Sequence, residues 1–138
     1  MIEPFVADCS VGVGWVHPSQ ATEVTRGLLE SAKAGVSVHV PSLWHLEVAN
    51  ALLAAERRGL MLAAHRTAGL ALLRQLRIVV DEETSARAFS AISELAVRHS
   101  LSVYDAAYLE LASRKALPLG TRDAPLMAAA RKCGVRLL

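Results

Sequence analysis

Five short apolar segments, at residues 5–7, 36–40, 78–80, 117–121 and 135–138, alternate along the chain with stretches that carry helical signals. None exceeds five residues, and glycine, proline or an acid bounds most of them. Short apolar strands separated by helices cannot all pair through hairpins, so the alternation predicts a parallel sheet with helices on both faces. The first strand is followed by a helical turn over 11–16, weakened by Gly12 and Gly14. Pro18 and Ser19 introduce a helix running to about residue 34, where Gly35 stops it. Further helices are expected over 43–58, closed by Gly59 behind a basic last turn, over 62–76, over 83–98, from Ser102 onward and over 124–132.

The chain of 138 residues is long enough to bury one core, and it is expected to form a single domain over its whole length. Hydrophobic residues make up 53% and charged residues only 20%, which excludes a disordered tail. Aromatics are only 4%, so the core must come from Ala, Leu and Val, which suits helices packed tightly on a small sheet. No apolar run approaches the roughly 18 residues of a membrane span, and the start MIEPFVADCS lacks the pattern of a secretory signal. The expected setting is cytoplasmic, without membrane contact. Cys9 and Cys133 offer no disulfide framework or CxxC spacing and read as small buried thiols. A formal charge of +2 is compatible with a polyanionic partner without identifying one.

Four acids interrupt the apolar pattern where elements begin or end: Asp8, Glu47, Asp105 and Asp123. Ligands of an open parallel sheet bind beyond the carboxyl ends of its strands. Asp8 follows the first strand and Asp123 the fourth, so both belong at that edge. Asp105 lies in the first turn of a helix expected to begin there, and Glu47 sits early in the 43–58 helix on its core-facing side. Were the four to meet within about 5 Å, each like-charged pair would cost on the order of 3 kcal/mol at an effective dielectric of about 20. Six such pairs rival the stability of a typical domain. Either some acids are protonated or a cation neutralises them, and oxygen ligands alone select hard ions such as Mg²⁺ or Mn²⁺. Each acid also has a purely structural reading. Asp8 and Asp123 can cap the helices that follow them, and Ser102 with Asp105 fits a capping box. Glu47, flanked by Leu43, Trp44 and Ala51, gains nothing as a cap.

The acids come with characteristic neighbours: D-x-S-V-x-x-x-W from Asp8 to Trp15, E-V-A-N-A-L from Glu47 to Leu52, then R-R-G at Arg57 to Gly59. Further on stand L-S-V-Y-D-A-A-Y-L-E-L-A from Leu101 and L-P-L-G-T-R-D-A-P-L from Leu117. Together these resemble the PIN-domain ribonucleases of the VapC toxin type, from the first strand to the last. The resemblance implies an α/β, three-layer α/β/α sandwich with a five-stranded parallel sheet, and an endoribonuclease dependent on carboxylate-bound Mg²⁺ or Mn²⁺. By position, Asp8, Glu47, Asp105 and Asp123 match the acidic, metal-holding cluster. Ser10 and Thr121 match hydroxyl positions beside the first and last acids, and Asn50 matches a polar helix position. Core packing explains most of the apolar stretch Leu52, Leu53, Leu60, Met61 and Leu62; the resemblance further implies a cognate antitoxin over this region and the neighbouring groove, and pairing of the chain with itself. The chain departs from the pattern at Gly12 and Gly14, and the stretch from His17 to Gln20 lacks an acid often found there.

Other signals are weaker. Gly12-Val13-Gly14 follows a strand, but His17 occupies the third glycine position of a dinucleotide fingerprint. The five histidines show no metal-binding spacing, and no serine-hydrolase elbow occurs. Most arginines read as solvated helix faces; Arg122, beside Asp123, is the candidate for substrate phosphate. Two competing readings are a receiver-like or phosphatase phosphoryl-transfer domain on a similar sheet, and a PIN-fold module that binds without catalysis. The placement of Glu47 on a helix and the Asp105 motif at a helix start speak against the first. Retention of all four acids speaks against the second.

Overall fold

The computed structural model describes residues 3–138. Its middle layer is built from β1 (Phe5–Ala7), β2 (Val38–Pro41), β3 (Ile78–Asp81) and β4 (Leu119–Gly120). All pairings are parallel and the spatial order is β3-β2-β1-β4. The chain therefore steps outward from β1 through β2 to β3, then returns to pair β4 on the other side of β1. That reversal puts the switch in strand order between β1 and β4, the place where ligands gather in such sheets. Phe5, Val6 and Ala7 are completely buried, as expected of a central strand covered on both faces.

The expected fifth strand is reduced to one parallel bridge between Leu119 and Leu137. Val135 N–H donates to Ala130 O at 2.9 Å, closing the last helix through Gly134 at φ +71°, so the segment begins as a turn. What remains pairs only with the two-residue β4, through Leu119 N–H to Arg136 O and Leu138 N–H to Leu119 O. β4 is itself shorter than the expected 117–121, because Leu117 N–H is spent closing the preceding helix on Ala112 O.

The helices are α1 (Cys9–Val16), α2 (Glu23–Lys33), α3 (Trp44–Arg57), α4 (Ala63–Gln75), α5 (Thr84–Arg87), α6 (Ser93–His99), α7 (Val103–Lys115) and α8 (Ala124–Lys132). The helix expected over 18–34 divides in two. Pro18–Gln20 forms a 3₁₀ turn, and α2 starts afresh on a Thr22 cap whose hydroxyl accepts Thr25 N–H at 3.1 Å. The helix expected over 83–98 contains a π segment, Ala88–Ile92, between α5 and α6. There Ser93 Oγ donates to Ala88 O at 2.6 Å, a side-chain bond to a carbonyl five residues back that accompanies the wider pitch.

α1 forms over its full two turns despite its glycines. A Cβ on Gly12 would lie 2.8 Å from the Trp44 ring, so the missing side chain is what lets α1 and α3 approach. α1 packs on β1 with α2, α3 and α4 around it, while α7 lies against β1, β2 and β4 and carries α6, the π segment and α8. Residues 106–112 of α7 are all buried, and the alanines among them permit close contact with the sheet. Among the described residues no helix is long and apolar enough to cross a membrane.

Candidate functional site

Asp8 leaves the carboxyl end of β1 and caps α1, with Oδ1 accepting Val11 N–H at 3.1 Å. It is 3% exposed, and its other contacts are two hydroxyls. Ser10 Oγ donates to Oδ1 at 2.6 Å and Thr121 Oγ1 to Oδ2 at 2.5 Å. Each hydroxyl in turn accepts a backbone N–H from the loop after β4, Arg122 N to Ser10 Oγ at 2.9 Å and Asp123 N to Thr121 Oγ1 at 3.0 Å. With their acceptor sides engaged, both hydroxyls direct their protons at Asp8, and such chains strengthen each link. The carboxylate is thereby fixed across the β1–β4 switch. Oδ1 has two donors; Oδ2 has one and keeps a lone pair.

Glu47 is placed by the first turn of α3. Trp44, 1% exposed, inserts beside Gly12 and donates its indole N–H to Asp8 O at 3.2 Å, which pins that turn to the end of β1. One turn on, half-buried Glu47 accepts the Tyr108 hydroxyl on Oε1 at 2.6 Å. Asp105 is half-buried in the first turn of α7, where Ser102 Oγ accepts Asp105 N–H at 3.0 Å. Asp123 caps α8, its Oδ2 accepting Leu126 N–H at 2.9 Å. The capping readings of Asp8 and Asp123 are thus correct, and capping occupies only part of each carboxylate.

The acids act on one another electrostatically. Burial above all, with the charge of Asp123 added, raises the Asp8 carboxyl above its ordinary range against the hydrogen bonds from Ser10, Thr121 and Val11. Burial raises Glu47 too, joined by Asp105 and Asp8, while Tyr108 opposes. For Asp105 the causes are burial, then Asp123 and Asp8, with Ser102 opposing. The same field reaches Cys9, whose thiol is pushed up to about 12 by burial and by Glu47, Asp8 and Asp105. A thiol held that high is no nucleophile at neutral pH. Burial and the Glu47 carboxylate push the Tyr108 phenol upward, keeping it a proton donor.

Among the described residues none of the four acids forms an ion pair with Lys, Arg or His. Nor do three of them, as positioned, close into a ready-made ligand cluster. They share an edge and a field. The donor set nonetheless suits a hard divalent ion: Asp8 Oδ2, Glu47 Oε2 and Asp123 Oδ1 retain acceptor capacity, and an ion that keeps most of its water shell needs only one or two direct carboxylates.

Ser10 meets the first acid as expected, whereas Thr121, expected beside the last acid, directs its hydroxyl to Asp8 and meets Asp123 only through the backbone N–H it accepts. Arg122 adjoins the site through its backbone, while its guanidinium donates to Gln20 Oε1 at 2.9 Å. Asn50 lies on the exposed side of α3, one turn beyond Glu47. Three contributors escaped the sequence reading: Tyr108, Trp44 and Gln20. Tyr108 follows Asp105 by one helical turn, a spacing that could have revealed it; nothing in the sequence links Gln20 to Arg122, 102 residues away.

A family model described as the PIN domain matches residues 5–132. No curated protein matches the sequence. Among solved structures the chain is similar to PAE2754 from Pyrobaculum aerophilum, at 21% identity and a TM-score of 0.70 over 99% of this chain and 92% of that one. It is also similar to FitAcB from Neisseria gonorrhoeae, at 18% identity and a TM-score of 0.59 over 97% of this chain and 96% of that one. At these identities the two structures speak for the fold alone.

Proposed function

This chain belongs to the PIN domain family, and from that premise we propose that it is a divalent-metal-dependent endoribonuclease of the VapC toxin type. In this reading it acts as a single cytoplasmic domain, paired with itself and restrained by a cognate antitoxin. Proteins of the family are generally nucleases. The observation that carries the proposal is the edge between β1 and β4, where burial and neighbouring carboxylates raise Asp8, Glu47 and Asp105, the charge of Asp123 acts on Asp8 and Asp105, and no internal counter-ion stands among the described residues.

Asp8, Asp105 and Asp123, with Glu47 directly or through water, would hold Mg²⁺ or Mn²⁺. Such a cation supplies charge neutralisation for a phosphodiester and acidifies water. Asp8 cannot rotate, because Ser10, Val11 and Thr121 hold both its oxygens, so Oδ2 presents its remaining lone pair in one direction. Tyr108 restrains Glu47 through Oε1, leaving Oε2 to receive a proton from the attacking water. Ser10 and Thr121 fix the carboxylate they touch, in the manner of outer partners that tune metal sites. Arg122 would meet substrate phosphate by exchanging Gln20 for a charged acceptor, and Asn50 would offer a polar contact at the rim of α3. Hydrolysis would leave 5′-phosphate and 3′-hydroxyl ends.

For the partner, Leu60 and Leu62 stand exposed at the Gly59 turn, and a cavity of about 280 Å³ lined by Trp44, Val48, Leu70 and Leu73 opens between α3 and α4. An apolar antitoxin helix fits such a surface. The decisive experiment is cleavage of RNA with mapped ends in Mg²⁺ or Mn²⁺, with EDTA as control. Cleavage that survives EDTA, or that a folded Asp8→Asn protein performs at the wild-type rate, defeats the reading.

A further inference from the structure

Six aromatic side chains occur in the chain. Phe5, Trp15, Trp44 and Tyr108 are buried, whereas Tyr104 is 62% and Phe89 is 99% exposed. Tyr104 is set apart from Phe89 by its place. It immediately precedes Asp105 in the first turn of α7, four residues before Tyr108. Residues four apart share a helix face, and Tyr108 points at Glu47 through its hydroxyl. Tyr104 therefore lies one turn outward from the Tyr108–Glu47 contact, at the mouth of the acidic edge. The surroundings repeat the pattern: Val103 is 46% exposed beside it, and Leu46, directly before Glu47, is 76% exposed. Both helix turns that bear a carboxylate thus also bear exposed apolar surface, where a site for phosphate alone would be rimmed by polar side chains.

We propose that Tyr104 is a stacking platform that positions an unpaired nucleobase beside the phosphate to be cut. The inference rests on the endoribonuclease reading and deepens it. A duplex keeps its base faces stacked internally and shows a protein mainly backbone and groove, whereas a single strand can lay a base on an aromatic ring. The acids with their cation address the phosphate; the ring addresses its neighbour. Because every base has a π-face, Tyr104 selects for an unpaired strand more than for a sequence.

The test uses the full chain with Mn²⁺ and an oligoribonucleotide with phosphorothioate linkages, carrying 2-aminopurine as a reporter of stacking. Binding is followed by anisotropy, and the same strand annealed to its complement serves as the duplex. Wild type should quench 2-aminopurine and prefer the single strand. Tyr104→Ala should weaken single-strand binding about tenfold or more, abolish the quenching and leave duplex binding unchanged. Tyr104→Phe should stay within about threefold of wild type, because it keeps the ring, and Tyr104→Leu should resemble Tyr104→Ala, because it keeps only bulk. Phe89→Ala, on the π segment, should bind as wild type does. Equal binding by wild type and Tyr104→Ala overturns the proposal, as does a Tyr104→Phe protein as weak as Tyr104→Ala. So does loss of self-association in Tyr104→Ala with RNA binding intact, which would assign the ring to a protein interface. A wild-type protein that cleaves no RNA refutes the nuclease reading itself; one that cleaves RNA while Tyr104→Ala matches it refutes only the stacking.

Discussion

Two regions of this molecule gather carboxylates, and they solve the resulting repulsion in opposite ways. Near the end of β3, Asp81, Glu83 and Glu110 converge on Arg114, with bonds of 2.6 Å to Asp81 Oδ2, 3.0 Å to Glu83 Oε2 and 2.8 Å to Glu110 Oε1, and Arg87 reaches Glu110 at 3.5 Å. At the β1–β4 switch, Asp8, Glu47 and Asp123 accept hydroxyls, a phenol and backbone N–H groups, and among the described residues no guanidinium or ammonium pairs with these acids or with Asp105. Protonation follows the difference. Burial alone would raise Asp81, but hydrogen bonds from Arg114, from the Glu83 backbone and from Thr84, with the Arg114 charge, bring its carboxyl below the ordinary value. Asp8, Glu47 and Asp105 are raised. The first cluster is a finished structural joint. The second has no internal cation among the described residues, and that is the gap which the proposed divalent ion would fill.

Substitutions that exchange these roles are the sharpest test. Asp8→Asn should cost roughly a thousandfold in metal-dependent RNA cleavage, since the lost charge stabilisation is several kcal/mol, and circular dichroism should show the fold retained. Arg114→Met should do the reverse. It leaves partly buried Asp81 without a charged partner and buried Glu110 with Arg87 alone, lowers stability to urea by about 3 kcal/mol, and leaves activity per folded molecule near wild type. If Arg114→Met abolished cleavage at full stability, the two regions would not be separable. Thr121→Val removes one of the hydroxyls on Asp8 and should weaken Mn²⁺ binding, followed by titration calorimetry, by about 10–100-fold.

Smaller effects concern stability without metal. Glu47→Gln removes one of the mutually repelling charges, and the metal-free protein should gain about 0.5 kcal/mol after discounting for solvent screening, while cleavage is lost. The pH dependence carries opposite signs in the two regions. Raised folded-state values at Asp8, Glu47 and Asp105 mean the native state binds more protons, so metal-free stability should fall as pH rises from the ordinary carboxylate value, about pH 4, through the raised values. Asp81, with its lowered value, contributes stability present above the ordinary value and lost as pH falls through the folded one. Thermal melts with and without MnCl₂ separate them: Mn²⁺ should abolish the decline on the alkaline side and leave the acid limb unchanged. Melts insensitive to Mn²⁺ at every pH would contradict the division.

The sequence determined the alternation of elements, the buried β1 strand and the edge at which the four acids stand, because strand–helix periodicity and parallel pairing follow from local pattern and chain connectivity. It misplaced what depends on competition for backbone hydrogen bonds. The fifth strand shrank to a bridge because the turn at Gly134 claimed its first N–H, and the helix expected over 18–34 broke where Thr22 offered a better cap. Only the tertiary structure decided how each acid is held. The Tyr108–Glu47 bond spans 61 residues, Trp44 to the Asp8 carbonyl 36 and Thr121 to Asp8 113. It also decided which carboxylates receive an arginine and which do not. Composition gives the number of charges; whether a guanidinium reaches a carboxylate depends on the crossing of helices that are distant in the chain.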